Sequence, residues 1–393
     1  MNTERGTNST VAKQQNLEAV KRLLFRYAPI SRSDMAKALG LTPATLTNIT
    51  SLLLSLGMIR ETEAEEQPPL QKKQAGRKKI LLDLVPEAFT VLGLSLGRDG
   101  TRYVFTDLRG KKLLEGNFEV MSDDYTVMIH QLQGILAQLE QVAALWKNLL
   151  GIGIVVPGIV DPLQGKVKNH GQERLSWCDK PLAEEISRFT GLNTVLENNV
   201  RGRCHAAALF HPDLLAGEDT FALCHISFGI ACPQVLNNRL LSGMDMAAGE
   251  IGKMRLMTGL PEISLNREAS APKESAPARE MATLEALSAV PAILDSCRQM
   301  MRAERTTLLH ELCDDPEKLT LEHVLEARQS KDPEVSRIME EAMFYTGIAL
   351  SNMADIMNPH LILFSGPLSA DPENIQIMKK PKSSDEEVID KLG

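Results

Sequence analysis

The stretch TVLENNVRG (residues 194–202) sets two asparagines, Asn198 and Asn199, directly behind an apolar run. Such a run reads as a buried strand. The pattern recurs on both sides. Upstream, TVLGLSLGRDGTRYVFTDLRGKKLLEGNFEV (90–120) breaks apolar segments with Gly and Asp turns and predicts a strand meander. A helical span, VMIHQLQGILAQLEQVAALW (127–146), then leads to a strand, LLGIGIVVPGIVD (149–161). Downstream, TFALCHISFGI (220–230), QVLNNRLLSG (234–243) and LILFSGP (361–367) continue the alternation, so the body is an α/β fold with more than one lobe.

At 393 residues the chain exceeds the size at which one core stops growing, so two or three domains are expected. No apolar run reaches the roughly 18 residues of a membrane span, and the polar N-terminus lacks a secretory signal's apolar core; the cytoplasm is the expected compartment, with no membrane partner. The six cysteines form no C-x-x-C pair and are expected as small buried apolar groups. Net charge is −8, unevenly distributed. Residues 1–85 hold 13 Lys and Arg against 8 Asp and Glu, whereas the rest holds 30 against 43. A basic head on an acidic body suits a polyanionic partner, because neutralising phosphates and releasing counterions supplies nonspecific nucleic-acid affinity.

The head spells its own motif. NLEAVKRLLFRY (16–27) places Leu17, Val20, Leu24 and Tyr27 at helical spacing. Ser31 or Ser33 can cap a second helix that Gly40 ends, and Thr42 before Pro43 is an N-cap with proline at the first helical position. In this third helix Leu46, Ile49, Leu53 and Leu56 form the apolar stripe; Ala44, Thr47, Asn48 and Ser51 fall opposite. Small polar side chains on such a stripe can enter a major groove, where Asn pairs with adenine and Thr meets a base edge or a thymine methyl. A strand, a charged loop and a second strand follow, the pattern of a winged helix-turn-helix, with Lys72, Lys73, Arg77, Lys78 and Lys79 on the wing. Arg32, Thr42, Ala44, Thr45, Thr47, Asn48, Ser51, Arg77, Lys78 and Lys79 are the candidate contacts to a double-stranded operator. The alternative is a small helical bundle with a solvated basic loop.

The order of winged head, GRKKILLDLVPEAF, GIGIVVPGIVDPLQGKV, WCDKPLAEEISRFTGLNTVLENNVRG, LNNRLLSGMDMAAGEIGK and TLEALS closely resembles the ROK family of repressors, open reading frames and sugar kinases. It is most similar to the regulator branch, which includes the repressors of N-acetylglucosamine and xylose operons. The resemblance implies residues 1–85 as a winged helix-turn-helix, and a two-lobed ribonuclease-H-like body of the actin-like ATPase and sugar kinase type, with lobes at 86–204 and 205–393. In the family's kinases the segment matching LENNV ends Glu-Asn-Asp, the Asp being the base that takes the attacking hydroxyl's proton. Asn199 stands at that position, and an amide cannot accept the proton; losing a positioned base forfeits on the order of 10² to 10⁴ in rate.

Two further family sites are altered. The glycine-rich phosphate loop is matched by SFGIACP (227–233), where Phe228 is bulky and Pro233 has no N–H; Ser95 replaces the acidic residue of the first phosphate loop. At the family's zinc site Lys253 replaces the His, and no Cys or His occupies the loop before TLEALS. No cofactor, metal or catalytic residue is expected. By position, Gly158, Asn198, Asn199, Glu250 and Glu285 are the candidate effector contacts for a sugar or sugar phosphate, while Arg174 and Lys253 depart from the family's Asn and His. The alternative is that Glu250 and Glu285 simply pair with Lys253. His170 and His205 read as structural residues, and helix 335–358 as close to the last firm element before a polar tail. The reading is a sugar-responsive repressor of carbohydrate genes, a homodimer or homotetramer; the alternatives are a weak ATP-dependent carbohydrate kinase with a regulatory head, or a DNA-binding scaffold that senses nothing small.

Overall fold

The computed structural model describes residues 9–63, 79–169, 175–211, 220–237, 239–258 and 281–379. The chain divides into two compact units, Met1–Leu214 and Leu215–Gly393.

The first unit opens with α1 (Ser9–Tyr27), the two-residue β1 (Ile30–Ser31), α2 (Arg32–Leu39) and α3 (Pro43–Ser55), followed by β2 (Ile59–Glu63) and β3 (Ile80–Leu84). Ser31, not Ser33, caps α2, accepting from the Asp34 N–H; Gly40, at φ 63°, closes it. Thr42 caps α3 through the Thr45 N–H. Strands β1, β3 and β2 form a small antiparallel sheet, with Ile59 opposite Leu84. Val20, Leu24, Met35, Leu46, Leu53 and Leu82 pack as the core beneath. The α3 stripe is rotated from expectation. Leu46, Thr50 and Leu53 are buried, and Leu56 is 50% exposed, because the i, i+4, i+7 row leaves Leu56 at its edge. Tyr27, the last residue of α1, is also exposed.

The same unit continues with β4 (Thr90–Leu96), β5 (Thr101–Asp107), β6 (Lys112–Phe118), α4 (Tyr125–Glu140), α5 (Ala143–Trp146), β7 (Leu149–Val156), β8 (Ile159–Asp161), β9 (Lys166–Asn169), α6 (Leu182–Thr190), β10 (Thr194–Asn198) and α7 (Asn199–Phe210). The meander β4–β5–β6 is antiparallel, and β7 and β10 add in parallel, giving the order β10-β7-β4-β5-β6 among the described residues. Leu92, Leu94 and Leu96 alternate inward against Met128, Leu132 and Leu136 of α4 and Ile186 of α6. Residues 149–161, expected as one strand, break at Gly158. Its φ of 93° suits glycine alone, and β8 turns away to pair with β9. The lobe boundary expected between residues 204 and 205 falls inside α7.

The second unit contains β11 (Phe221–Ile226), β12 (Ile230–Ala231), β13 (Gln234–Leu236), β14 (Arg239–Leu240), β15 (Arg255–Met257), β16 (Met281–Thr283), α8 (Leu284–Ser288), α9 (Val290–Arg302), α10 (Leu309–Leu312), α11 (Leu321–Gln329), α12 (Pro333–Met357), β17 (Leu361–Ser365) and α13 (Pro372–Met378). All six β11 side chains are buried, as a strand paired in parallel with β17 and covered on both faces requires. Asp332 caps α12, and Asn358 ends it in the left-handed region. Helix α13 corrects the expectation that ordered structure stops near α12. It buries Ile377 and Met378, and Gly347 lets the Met378 backbone approach α12 where a Cβ would collide. The cysteines are free and, apart from the half-buried Cys178, buried. Burial pushes the Cys204 and Cys297 thiols up to about 12, which keeps them protonated. No described helix is long and apolar enough to cross a membrane.

Candidate functional site

The head presents one side of α3 outward. Ala44, Thr47, Asn48 and Ser51 are all exposed and share a stripe opposite Leu46, Thr50 and Leu53. The Thr47 hydroxyl donates to the Pro43 carbonyl at 2.8 Å, which turns it back toward its own helix. Thr45 is half-buried, its hydroxyl 2.9 Å from that of Thr42, so both residues serve the cap. Arg32 is not free to reach outward: its Nε donates to Thr50 Oγ1 at 3.1 Å and its Nη2 to Glu61 Oε1 at 2.9 Å. This fork ties α2 to α3 and β2, so Arg32 orients the exposed helix. Lys79 is exposed, 3.3 Å from Asp34. The Ser31 hydroxyl and Lys79 together hold the Asp34 carboxyl below its ordinary range. Arg77 and Lys78, with Lys72 and Lys73, lie outside the described residues.

Behind β10 the structure brings together three of the expected effector residues, Gly158, Asn198 and Asn199. Asn198 is the N-cap of α7: its Oδ1 accepts from the Val200 and Arg201 N–H groups at 2.8 and 2.9 Å, and its Nδ2 donates to the Gly158 carbonyl at 2.7 Å. Its amide oxygen is therefore a helix cap first. Asn199, half-buried, accepts from the Val200 N–H at 3.0 Å. A pair not anticipated from sequence lies beneath. Arg201 Nε donates to Glu197 Oε1 at 2.9 Å, with Arg201 buried and Glu197 half-buried, and the Asn198 N–H reaches the same oxygen at 2.8 Å. Its i, i+4 spacing was the available signal, hidden because Glu197 belongs to a strand and Arg201 to a helix.

The second unit holds Glu250 and Glu285. Glu250 Oε2 lies 3.2 Å from Lys253 Nζ, as the alternative expectation had it, but Glu285 does something else. Its Oε1 accepts from the Ile230 N–H at 3.2 Å, inside the loop that matches a phosphate cradle. A Cβ on Gly252 would strike the Glu285 side chain, so that glycine admits the carboxylate. Other donors of the loop are also used: the Ser227 N–H bonds the Gly229 carbonyl, and the Cys232 N–H bonds Gly249. A carboxylate seated where an anion would bind, with Pro233 beside it, does not fit a nucleotide phosphate. The residues do not fit zinc either, since Lys253 presents a charged amine paired with Glu250 where a ligand nitrogen is needed. Residues 170 and 174 lie outside the described residues, and His205 is an exposed partner of Glu197 at 3.8 Å.

The signature of the ROK family matches residues 91–384. The xylose repressor of Bacillus subtilis (strain 168) is 23% identical over 98% of this chain and 90% of that protein. A crystal structure of a ROK family transcriptional regulator, a homologue of the E. coli Mlc protein, superposes with a TM-score of 0.76 at 24% identity, covering 97% of this chain and 91% of that one. A ROK family glucokinase from Streptomyces griseus, solved with glucose and AMPPNP, reaches a TM-score of 0.57 at 19% identity over 74% of this chain and 88% of that one. The fold is thus mixed α/β of the kind shared by these regulators and sugar kinases.

Proposed function

The chain belongs to the ROK family, and from that premise we propose that it is a DNA-binding repressor of carbohydrate genes whose kinase-like body senses an effector without transferring phosphate. The observation that carries this reading is α3: a capped helix with a buried apolar face and an exposed stripe of Ala44, Thr47, Asn48 and Ser51. In this reading residues 1–85 are a winged helix-turn-helix, α3 enters the major groove, and Arg77, Lys78 and Lys79 follow the backbone. Arg32 and Thr42 shape the helix, and Thr45 flanks it. The remainder is a two-lobed ribonuclease-H-like body.

Gly158, Asn198, Asn199, Glu250 and Glu285 are proposed as contacts to a sugar or sugar phosphate. The carboxylates of Glu250 and Glu285 supply acceptors for hydroxyls, which supports the uncharged sugar over the phosphate. The occupied Ile230 and Cys232 N–H groups support a body without kinase activity, a repressor needing no metal or cofactor. Pairing of chains as a homodimer or homotetramer would present two heads to a palindromic operator. One observation, the likeness to the glucokinase, favours a second reading as a weak carbohydrate kinase with a regulatory head. Genomic DNA captured by the full chain should, on sequencing, share one two-fold symmetric motif; unrelated fragments would count against the repressor. A coupled assay with hexoses and ATP should register no turnover, and turnover would favour the kinase.

A further inference from the structure

Helix α7 has two ends with different duties. At its first turn Asn198 caps the backbone and reaches the Gly158 carbonyl. At its last turn it meets the head. The Phe210 ring stands edge-on to Phe25 of α1, centroids 5.3 Å apart at 79°. The Arg26 guanidinium donates to the Ala208 carbonyl at 2.6 Å. On its other side Phe210 covers Gly110 in the β5–β6 turn, where a Cβ would run into the ring. The neighbouring Arg109 ion-pairs with Asp83 of β3, so the turn under Phe210 is itself tied to the head.

These contacts suit their places. A cation is favoured at a helix C-terminus, where carbonyls lack intrahelical partners, and edge-to-face rings prefer one orientation over a range of others. Twelve residues of α-helix make a rod of about 18 Å whose length cannot adjust. A shift at the Asn198 end therefore arrives at α1.

We infer that Phe210 and Arg26 are positioning residues for the head, coupling α1 to the Asn198 end of α7. This rests on the reading of the head as a DNA reader. The wild-type chain, Asn198→Ala, Phe210→Ala and the double variant are compared by fluorescence anisotropy on the operator recovered by DNA capture and on random duplex. Asn198→Ala weakens operator binding by about fivefold or more, the lower range of allosteric couplings. The same change made in the Phe210→Ala background has an effect within about twofold, because the rod no longer grips the head. Random-duplex binding does not follow this pattern. Asn198→Asp, which keeps a capping oxygen but loses the donor to the Gly158 carbonyl, recovers only the part of the loss owed to the cap. Arg26→Gln serves in place of Phe210→Ala if the latter does not fold, with the same collapse expected. Independent, multiplicative losses, or an Asn198→Ala chain with wild-type operator affinity, overturn the coupling. A wild-type chain that does not prefer the captured sequence instead overturns the reading beneath it.

Discussion

Asn199 occupies the first position of α7, and its amide oxygen is already turned to the Val200 N–H. Replacing it by Asp supplies a carboxylate but leaves Glu285 on the Ile230 N–H and proline at position 233. Phosphoryl transfer depends on charge stabilisation around the phosphates more than on one base. Asn199→Asp is therefore expected to show no ATP-dependent sugar phosphorylation in a coupled assay; sustained turnover would contradict this. A second prediction concerns Glu197. Burial pushes its carboxyl up, but the His205 contact, the Asn198 N–H and Arg201 together outweigh burial and hold it below its ordinary range. A lowered folded value means stabilisation that is complete above the unfolded value and lost as pH falls through the folded one. At neutral pH Glu197→Gln strands the buried Arg201 and should cost about 3 to 5 kcal/mol in urea unfolding. The gap to wild type should narrow on acidification, and a gap that stays constant with pH would contradict the assignment. At this scale the sequence was partly legible. The two asparagines that end the strand could be read directly. That Asn198 caps a helix was not read there, although Asn before a helix start is a favoured cap, and neither was Glu285 filling the loop, because it depends on packing between segments 55 positions apart.

Among elements, the turn chemistry of the head was the most readable part. Gly40 and the Thr42–Pro43 start stand where capping rules put them. Two-residue β1 is too short for any periodicity, and seven-residue α13 offers barely two turns of pattern, so both escaped. The break at Gly158 escaped for another reason: the apolar run continues through it, and only the backbone conformation reveals the turn. Helix α12 carries its own test. Asp332, 2% exposed, accepts from the Val335 N–H at 2.9 Å, the Leu308 N–H at 2.7 Å and the Thr307 hydroxyl at 2.8 Å. Asp332→Ala should cost about 1 to 2 kcal/mol for the lost cap and about 1 to 3 kcal/mol more for the stranded donors. Asp332→Asn, which keeps an acceptor, should cost less. Equal midpoints for wild type and Asp332→Ala in denaturant unfolding would refute the role.

For the whole molecule, charge and motif order were legible in the sequence, and the family match over residues 91–384 agrees with the motif order of the body. The junction of head and lobe was not, because Arg26 and Ala208 are 182 positions apart and no local pattern pairs them. As a repressor, the chain must read sequence with its basic head through α3. Backbone contacts and base contacts separate cleanly in such a system: the first weaken all duplexes alike, the second only the cognate one. Lys79→Ala should therefore lower affinity for operator and random DNA together, with a shallower salt dependence. The most direct measurement is the anisotropy of wild type and Asn48→Ala on the captured operator and on a random duplex at one salt concentration. A loss of about 1 to 3 kcal/mol is expected on the operator and none on random DNA; equal losses on both duplexes would contradict base reading by Asn48.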